Sequence, residues 1–225
     1  MQHSGDPVLS TYSPPPNEGL SVIHAEAGLI VVDKPAGLLS VPGRGEGKED
    51  CLVARVQMEY PDALTVHRLD MDTSGLLLLA RGGEMHRQLS RLFQDRQVSK
   101  RYVAVVDGLL ANDGGEVDLP LICDWPNRPR QKVDFEIGKP SLTRYRVVSR
   151  DQTTRTSRVE LEPITGRSHQ LRVHMMMLGY PILGDDLYGG EAYGKAGRLL
   201  LHAMDLAFVH PTTGTALQFH CDAPF

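Results

Sequence analysis

The stretch "VHRLDMDTSG", Val66 to Gly75, sets two carboxylates, Asp70 and Asp72, beside a histidine and an arginine. Paired carboxyl groups divide the work at a glycosidic bond, one handling the leaving group and one the sugar carbon. A single carboxylate acts instead as nucleophile or charge stabiliser. Alternation in "LTVHRLD" puts Val66, Arg68 and Asp70 on one strand face, with His67 and Leu69 on the other. Asp70 then ends a strand, and Arg68 reaches the same space. Asp72 opens the turn "MDTSG", where a short carboxylate accepts N–H bonds from Thr73, Ser74 and Gly75. The pair reads as one reactive group and one turn former. Apolar neighbours (Leu69, Leu76, Leu77) around a lone carboxylate fit a reaction that excludes water better than a hydrolysis.

Other motifs fall short. "GRGEGKED" has Pro42 where a phosphate loop needs its first Gly, and Glu49 where it needs Ser or Thr. His169 and His174 are five apart and share no helix face for zinc, so no metal site is expected. "DTSG" has its Gly one place late for an aspartic protease and has no second copy. There is no GxSxG elbow.

The elements that must position Asp70 follow from periodicity. "GLIVVDKP" is a buried strand stopped by Pro35, "CLVARVQMEYP" a helix ended by Pro61, and "LLLLA" a buried strand. "EMHRQLSRLFQDRQ" is an amphipathic helix whose polar face carries Arg87, Arg91 and Arg96. "KRYVAVVDG" is a strand, and "LPLICDWPNRPRQKV" a long basic loop. "SLTRYRVVSR" and "SRVELEPI" form a hairpin, and "SHQLRVHMMMLG" is a helix closed by Gly179. Two strands end the chain. Strands outnumber helices, which predicts an α+β fold: a large mixed, mainly antiparallel sheet with flanking helices and loops around a central cleft. Residues 1–19, rich in Pro and Ser, read as a disordered or loosely packed arm, and 20–225 as one catalytic domain.

The 225 residues are 41% hydrophobic and 23% charged, ordinary for a globular chain. No apolar run approaches the ~20 residues that span a bilayer, and no signal peptide is seen, so no membrane is expected. Three scattered cysteines suit free thiols in a reducing cytoplasm. The net charge is −4, yet basic residues outnumber acidic ones from Arg81 to Arg172. A basic middle of this kind is either a chance asymmetry on a solvated surface or a face that meets phosphates.

Four segments stand out together: "VDKPAGLLSVPG", "VHRLDMDTSGLLLLA", "KRYVAVVDG" and "PITGRSHQLRVHMMMLGYPILGD". The set resembles the RluA family of pseudouridine synthases. "LICDWPNRPRQKV" and "GRSHQLRVHM" extend the likeness to its short branch, which lacks the additional S4 RNA-binding domain of many relatives. The resemblance implies isomerisation of uridine in RNA. The uracil C1′–N1 bond breaks, the base turns, and a C1′–C5 bond forms. It implies one essential aspartate and no cofactor. The substrates implied are a tRNA anticodon stem-loop and 23S rRNA, with no DNA partner, and a monomer is the default.

The resemblance assigns Asp70 as that aspartate, Arg172 as its basic partner and Tyr102 as the aromatic that stacks on the base, with a part in removing the C5 proton. Arg68 fills the gap left by the flipped base, and Lys34, a candidate substrate contact, packs near the tyrosine. Such a filler offsets some of the few kcal/mol that extracting a base costs. Arg167, His169, Arg128 and Arg130 are candidate RNA contacts, and Gln170 stands beside them. The alternatives are an enzyme with one RNA target, an inactive RNA-binding module of the same fold, and an N-glycosidase.

Overall fold

The computed structural model describes residues 12–225, so the first part of the expected N-terminal arm lies outside the described residues. In chain order the elements are β1 (Val22–Ala25), β2 (Leu29–Lys34), α1 (Leu52–Glu59), β3 (Ala63–Thr65), β4 (Ser74–Arg81), α2 (Gly82–Gln94) and β5 (Ser99–Asp107). Then come β6 (Gly114–Asp118), β7 (Leu121–Cys123), β8 (Gln131–Val133), β9 (Leu142–Asp151), β10 (Thr156–Pro163), α3 (Gln170–Met177), β11 (Leu201–Val209) and β12 (Ala216–His220). A 10-stranded sheet runs β1-β2-β4-β11-β5-β10-β9-β6, with β12 on β11 and β3 on β4, while β7 and β8 form a separate hairpin. Only β4 and β11 pair in parallel among the described residues. This is the expected α+β architecture.

The alternation of β4 divides the core. Leu77 and Leu79 pack with Ile30, Val32 and the α1 residues Leu52 and Val56. Leu76 and Leu78 pack on the other side with Leu29, Val31 and Leu89 of α2. Leu161, Leu171 and Met175 seat α3 on β5 and β10. Each such buried side chain contributes roughly 1.5–3 kcal/mol. Where β4 begins beside β11, Gly75 has φ 110°, and a Cβ there would lie 2.3 Å from the carbonyl oxygen of Ala203. Only glycine permits this approach, which sets the end of the Asp70 turn against the sheet.

The strand expected to run to Asp70 stops at Thr65. Beyond it, side chains replace the ladder. His67 Nε2 accepts the Leu78 N–H at 2.9 Å. Ser40 Oγ accepts the Leu69 N–H at 3.1 Å and donates to the Leu69 carbonyl at 2.6 Å. These bonds satisfy the Leu69 N–H and carbonyl and the Leu78 N–H where the backbone leaves the sheet. Alternation nevertheless survives in outline: Leu69 is buried, Arg68 exposed and Asp70 half-buried.

Burial, with the Lys100 charge, lowers the His67 pKa to about 3, consistent with an acceptor Nε2 that must stay neutral. The unfolded chain takes up this proton near pH 6.5. Below that pH the unfolded state binds more protons, so stability is lost as pH falls toward 3. Urea denaturation of the wild type is expected to lose about 1–2 kcal/mol more than His67→Gln between pH 7.5 and 5. Equal losses would refute the assignment.

Residues 12–16, expected to be loose from composition, are tied to the body. Tyr12 Oη donates to the Asp50 carbonyl and accepts the Leu39 N–H, and Arg55 donates to the Pro15 carbonyl at 2.6 Å.

Candidate active site

Asp70 sits in the turn between the 66–69 segment and β4, closed by the Thr73 N–H on the Asp70 carbonyl oxygen at 3.2 Å. Its side chain is 28% exposed. Arg172 Nη1 and His169 Nε2 each stand 3.9 Å from its carboxylate, the guanidinium within ion-pair reach and neither in a direct hydrogen bond. The carboxylate therefore faces its surroundings with its lone pairs uncommitted to the described residues.

Arg172, on α3, is only 3% exposed. Its Nε and Nη2 grip Asp185 at 2.8 and 2.6 Å, and Nη2 also reaches Asp186 at 2.9 Å. Burial alone would lower its pKa, but Asp185, Asp70 and Asp186 together hold it above the usual arginine value. The basic partner expected for Asp70 is thus present, anchored mainly by a different aspartate.

His169 opens α3 with φ 54°, a left-handed conformation that a non-glycine residue adopts at a cost. Tyr188 Oη accepts the Gln131 N–H at 2.7 Å and lies 2.7 Å from His169 Nδ1. When the phenol O–H donates to Nδ1, the ring proton sits on Nε2, the nitrogen facing Asp70. Burial lowers the His169 pKa, which keeps the ring neutral. The Tyr188 ring lies under Arg172 and Arg130, at 5.2 and 5.3 Å from ring centroid to guanidinium carbon.

Tyr102, on β5, packs between the clusters around Leu77 and Leu161. Burial and the Asp70 charge push its hydroxyl pKa up, so it stays protonated. That fits a stacking surface and opposes the proton-removing part that resemblance assigns to it.

Other expected site residues divide. Arg68 is exposed beside Asp70. Arg128 stacks on Trp125 at 4.6 Å, in the basic loop between β7 and β8. Arg167 is half-buried and donates to the Pro140 carbonyl at 3.3 Å. Lys34, expected to contact substrate, cannot touch RNA directly: it is 0% exposed. Its ammonium donates to the carbonyls of Pro35, Leu38 and Met71 at 2.6–2.8 Å. Lys34 thus ties the Asp70 turn to the segment after β2. Gln170 is likewise buried, bonded to Thr165, Leu142 and Thr143, and shapes the loop before α3.

Asp72 corrects a second expectation. Among the described residues its carboxylate caps no N–H of Thr73–Gly75. Burial, reinforced by Asp186 and opposed by Arg172 and Lys34, raises its pKa. It belongs to the acidic group around Arg172. Leu76, expected beside Asp70, packs on the α2 side of the sheet.

His174 lies apart from His169, bonded to Thr143 and the Leu119 carbonyl. Asp33, His202 and Cys221 bring ligand-type atoms within 4.8 Å of one another. However, both His202 nitrogens are engaged, by Ser74 Oγ at 2.8 Å and the Cys221 carbonyl at 3.1 Å.

Asp185, Asp186, Tyr188 and Ser40 are the site residues that the sequence reading missed. The "GDDLYGG" run was a signal for the first three, since two adjacent acids in a glycine-framed loop invite a buried cation.

Residues 28–176 match the family model described as RNA pseudouridylate synthase. The chain belongs to that family and is an RNA uridine isomerase. It is 53% identical over 205 residues to the dual-specificity RNA pseudouridine synthase RluA of Yersinia pestis, covering 91% of this chain and 99% of the relative. It is 50% identical to the protein of the same name from Escherichia coli K12, covering 96% and 99%. Its fold matches human RNA pseudouridylate synthase domain containing 1 with a TM-score of 0.79 and 29% identity, over 95% of this chain and 87% of that one.

Proposed function

We propose that the protein isomerises uridines in both a tRNA anticodon stem-loop and 23S rRNA, with Asp70 as the reacting carboxylate. The observation that carries the chemistry is the Asp70 carboxylate, free of direct hydrogen bonds and set 3.9 Å from both Arg172 and His169. The dual target rests on the likeness to the dual-specificity relatives.

Cleavage of the C1′–N1 bond builds positive charge at C1′, and Asp70 beneath the sugar stabilises it. Arg172 sets a positive charge within ion-pair reach of that carboxylate. Tyr102 stacks on the uracil while it turns, so that C5 replaces N1 on C1′. The C5 proton is then lost and N1 regains one. Arg68 occupies the space of the extracted base. Arg128, Arg130 and Arg167 meet phosphates, which position RNA without reading its sequence. A monomer suffices for this reading, since one chain supplies every residue named. RNA substrates and free thiols support a cytoplasmic location for it.

Incubation with uridine-labelled tRNA and 23S rRNA transcripts tests this. Pseudouridine in both is the expected product. Product in one alone would reduce the reading to a single target. Free uracil would mean hydrolysis, and bound RNA without product an inactive module.

A further inference from the structure

Lys100 has no part in the chemistry above, although it stands two residues before Tyr102 on β5. It is half-buried, and its Nζ comes within 3.7 Å of the position a Cβ would take on Gly166. Gly166 directly precedes Arg167 in the loop that leads to His169. The ammonium charge is also felt by His67, which directly precedes Arg68. Lys100 thus lies between the two loops that carry the site. Burial pulls its pKa down and no carboxylate offsets the loss. Among the described residues no group accepts a hydrogen bond from it.

A groove of about 260 Å³ opens at this lysine, lined also by Arg96, Gln97, Ser99, Glu162 and Ile164. Glu162, its one acid, faces Arg144 at 4.0 Å. Arg96 takes the left-handed position after α2, with φ 58°, where glycine is the usual residue. A half-buried ammonium with no acceptor among the described residues is free to take a phosphate oxygen in a charge-assisted bond.

We propose that this groove binds one backbone phosphodiester of the substrate RNA beside the target uridine, with Lys100 as its main contact and Arg96 as a rim contact. The inference rests on the RNA-isomerase reading and adds to it a positioning site. The phosphate held here fixes the strand on one side of the extracted nucleotide while Asp70 meets its sugar.

The test compares wild type, Lys100→Gln and Lys100→Arg in filter binding to an anticodon stem-loop transcript across a salt series. Lys100→Gln is expected to weaken binding about tenfold and to flatten the slope of log K against log salt by about 0.7–0.9, the share of one phosphate. Its kinetic loss falls on KM. Lys100→Arg restores most of the affinity. A second measurement needs only folded wild type for its first arm: neutral methylphosphonate linkages are scanned one at a time around the target uridine. One linkage is expected to weaken wild type about tenfold and Lys100→Gln no further. Identical slopes for wild type and Lys100→Gln, or the absence of any linkage that weakens wild type but not Lys100→Gln, overturn the proposal. Pseudouridine formation by wild type is scored in parallel. Its absence removes the isomerase reading, while the slopes still decide on Lys100.

Discussion

Asp70→Asn is expected to bind RNA as wild type does and to form no detectable pseudouridine, a fall in kcat of at least about 10⁴-fold. Asparagine keeps the volume of the side chain and removes its charge. The carboxylate has no hydrogen bond within the described residues, so the fold gives up none. The turn closes through the Asp70 backbone carbonyl, which the substitution leaves in place. Arg172 retains Asp185 and Asp186. Stability is therefore expected to change by less than about 1 kcal/mol in urea denaturation. What disappears is the charge that balances the electron-poor C1′, the part of the site that acts only as the bond breaks. Asp70→Glu separates charge from position: it keeps the carboxylate but moves it by one methylene, a displacement expected to reduce turnover by about 100-fold. Turnover by Asp70→Asn within a hundredfold of wild type would end the assignment of Asp70 as the reacting group.

Much of this arrangement was readable from short-range pattern. The helical spacing of Met85, Leu89 and Leu92, the apolar run of β4 and the glycine closing α3 each report a local rule, and each element formed where the rule placed it. The 66–70 segment did not. Its alternation is real, but its strand character was decided by Ser40, 29 residues away from Leu69, and by an imidazole that takes a ladder position on Leu78. Periodicity carries no information about such bonds. Asp72 illustrates the same limit. A turn aspartate ordinarily caps its own N–H groups, yet here the packing of α3 and the 185–188 loop brings Arg172 and Asp186 into its field. Lys34 was recognised through its motif but given the wrong task, because sequence does not reveal which lysine is fully buried. Asp70, the residue proposed to react, was legible by type and motif. The groups that hold it were not, because they are assembled by tertiary contact.

The largest structural effect is expected at Arg172. Arg172→Met should lower stability by about 3–5 kcal/mol, the usual result of removing one partner from a buried ion pair. For a chain of this size that corresponds to a fall in Tm of roughly 6–20 °C. Asp185 is 1% exposed, and without the guanidinium its carboxylate keeps only the N–H groups of Leu187 and Tyr188, each at 2.9 Å. Those bonds do not balance a desolvated charge. The damage then spreads along a connected path. Tyr188 loses the cation over its ring, and the phenol that fixes the His169 tautomer is held less firmly. Arg172→Lys keeps a charge but not the two-pronged grip on Asp185, so it is expected to recover only part of the stability. The double variant Arg172→Met/Asp185→Asn removes the stranded charge along with its cause. It is expected to melt above Arg172→Met alone, with a coupling of about 1–3 kcal/mol in a double-mutant cycle. Thermal denaturation of Arg172→Met, Asp185→Asn and the double variant closes the cycle and settles the point. Additive losses would show that Arg172 and Asp185 are not the anchor of the loop, and would leave the contact with Asp70 as the only role of this arginine.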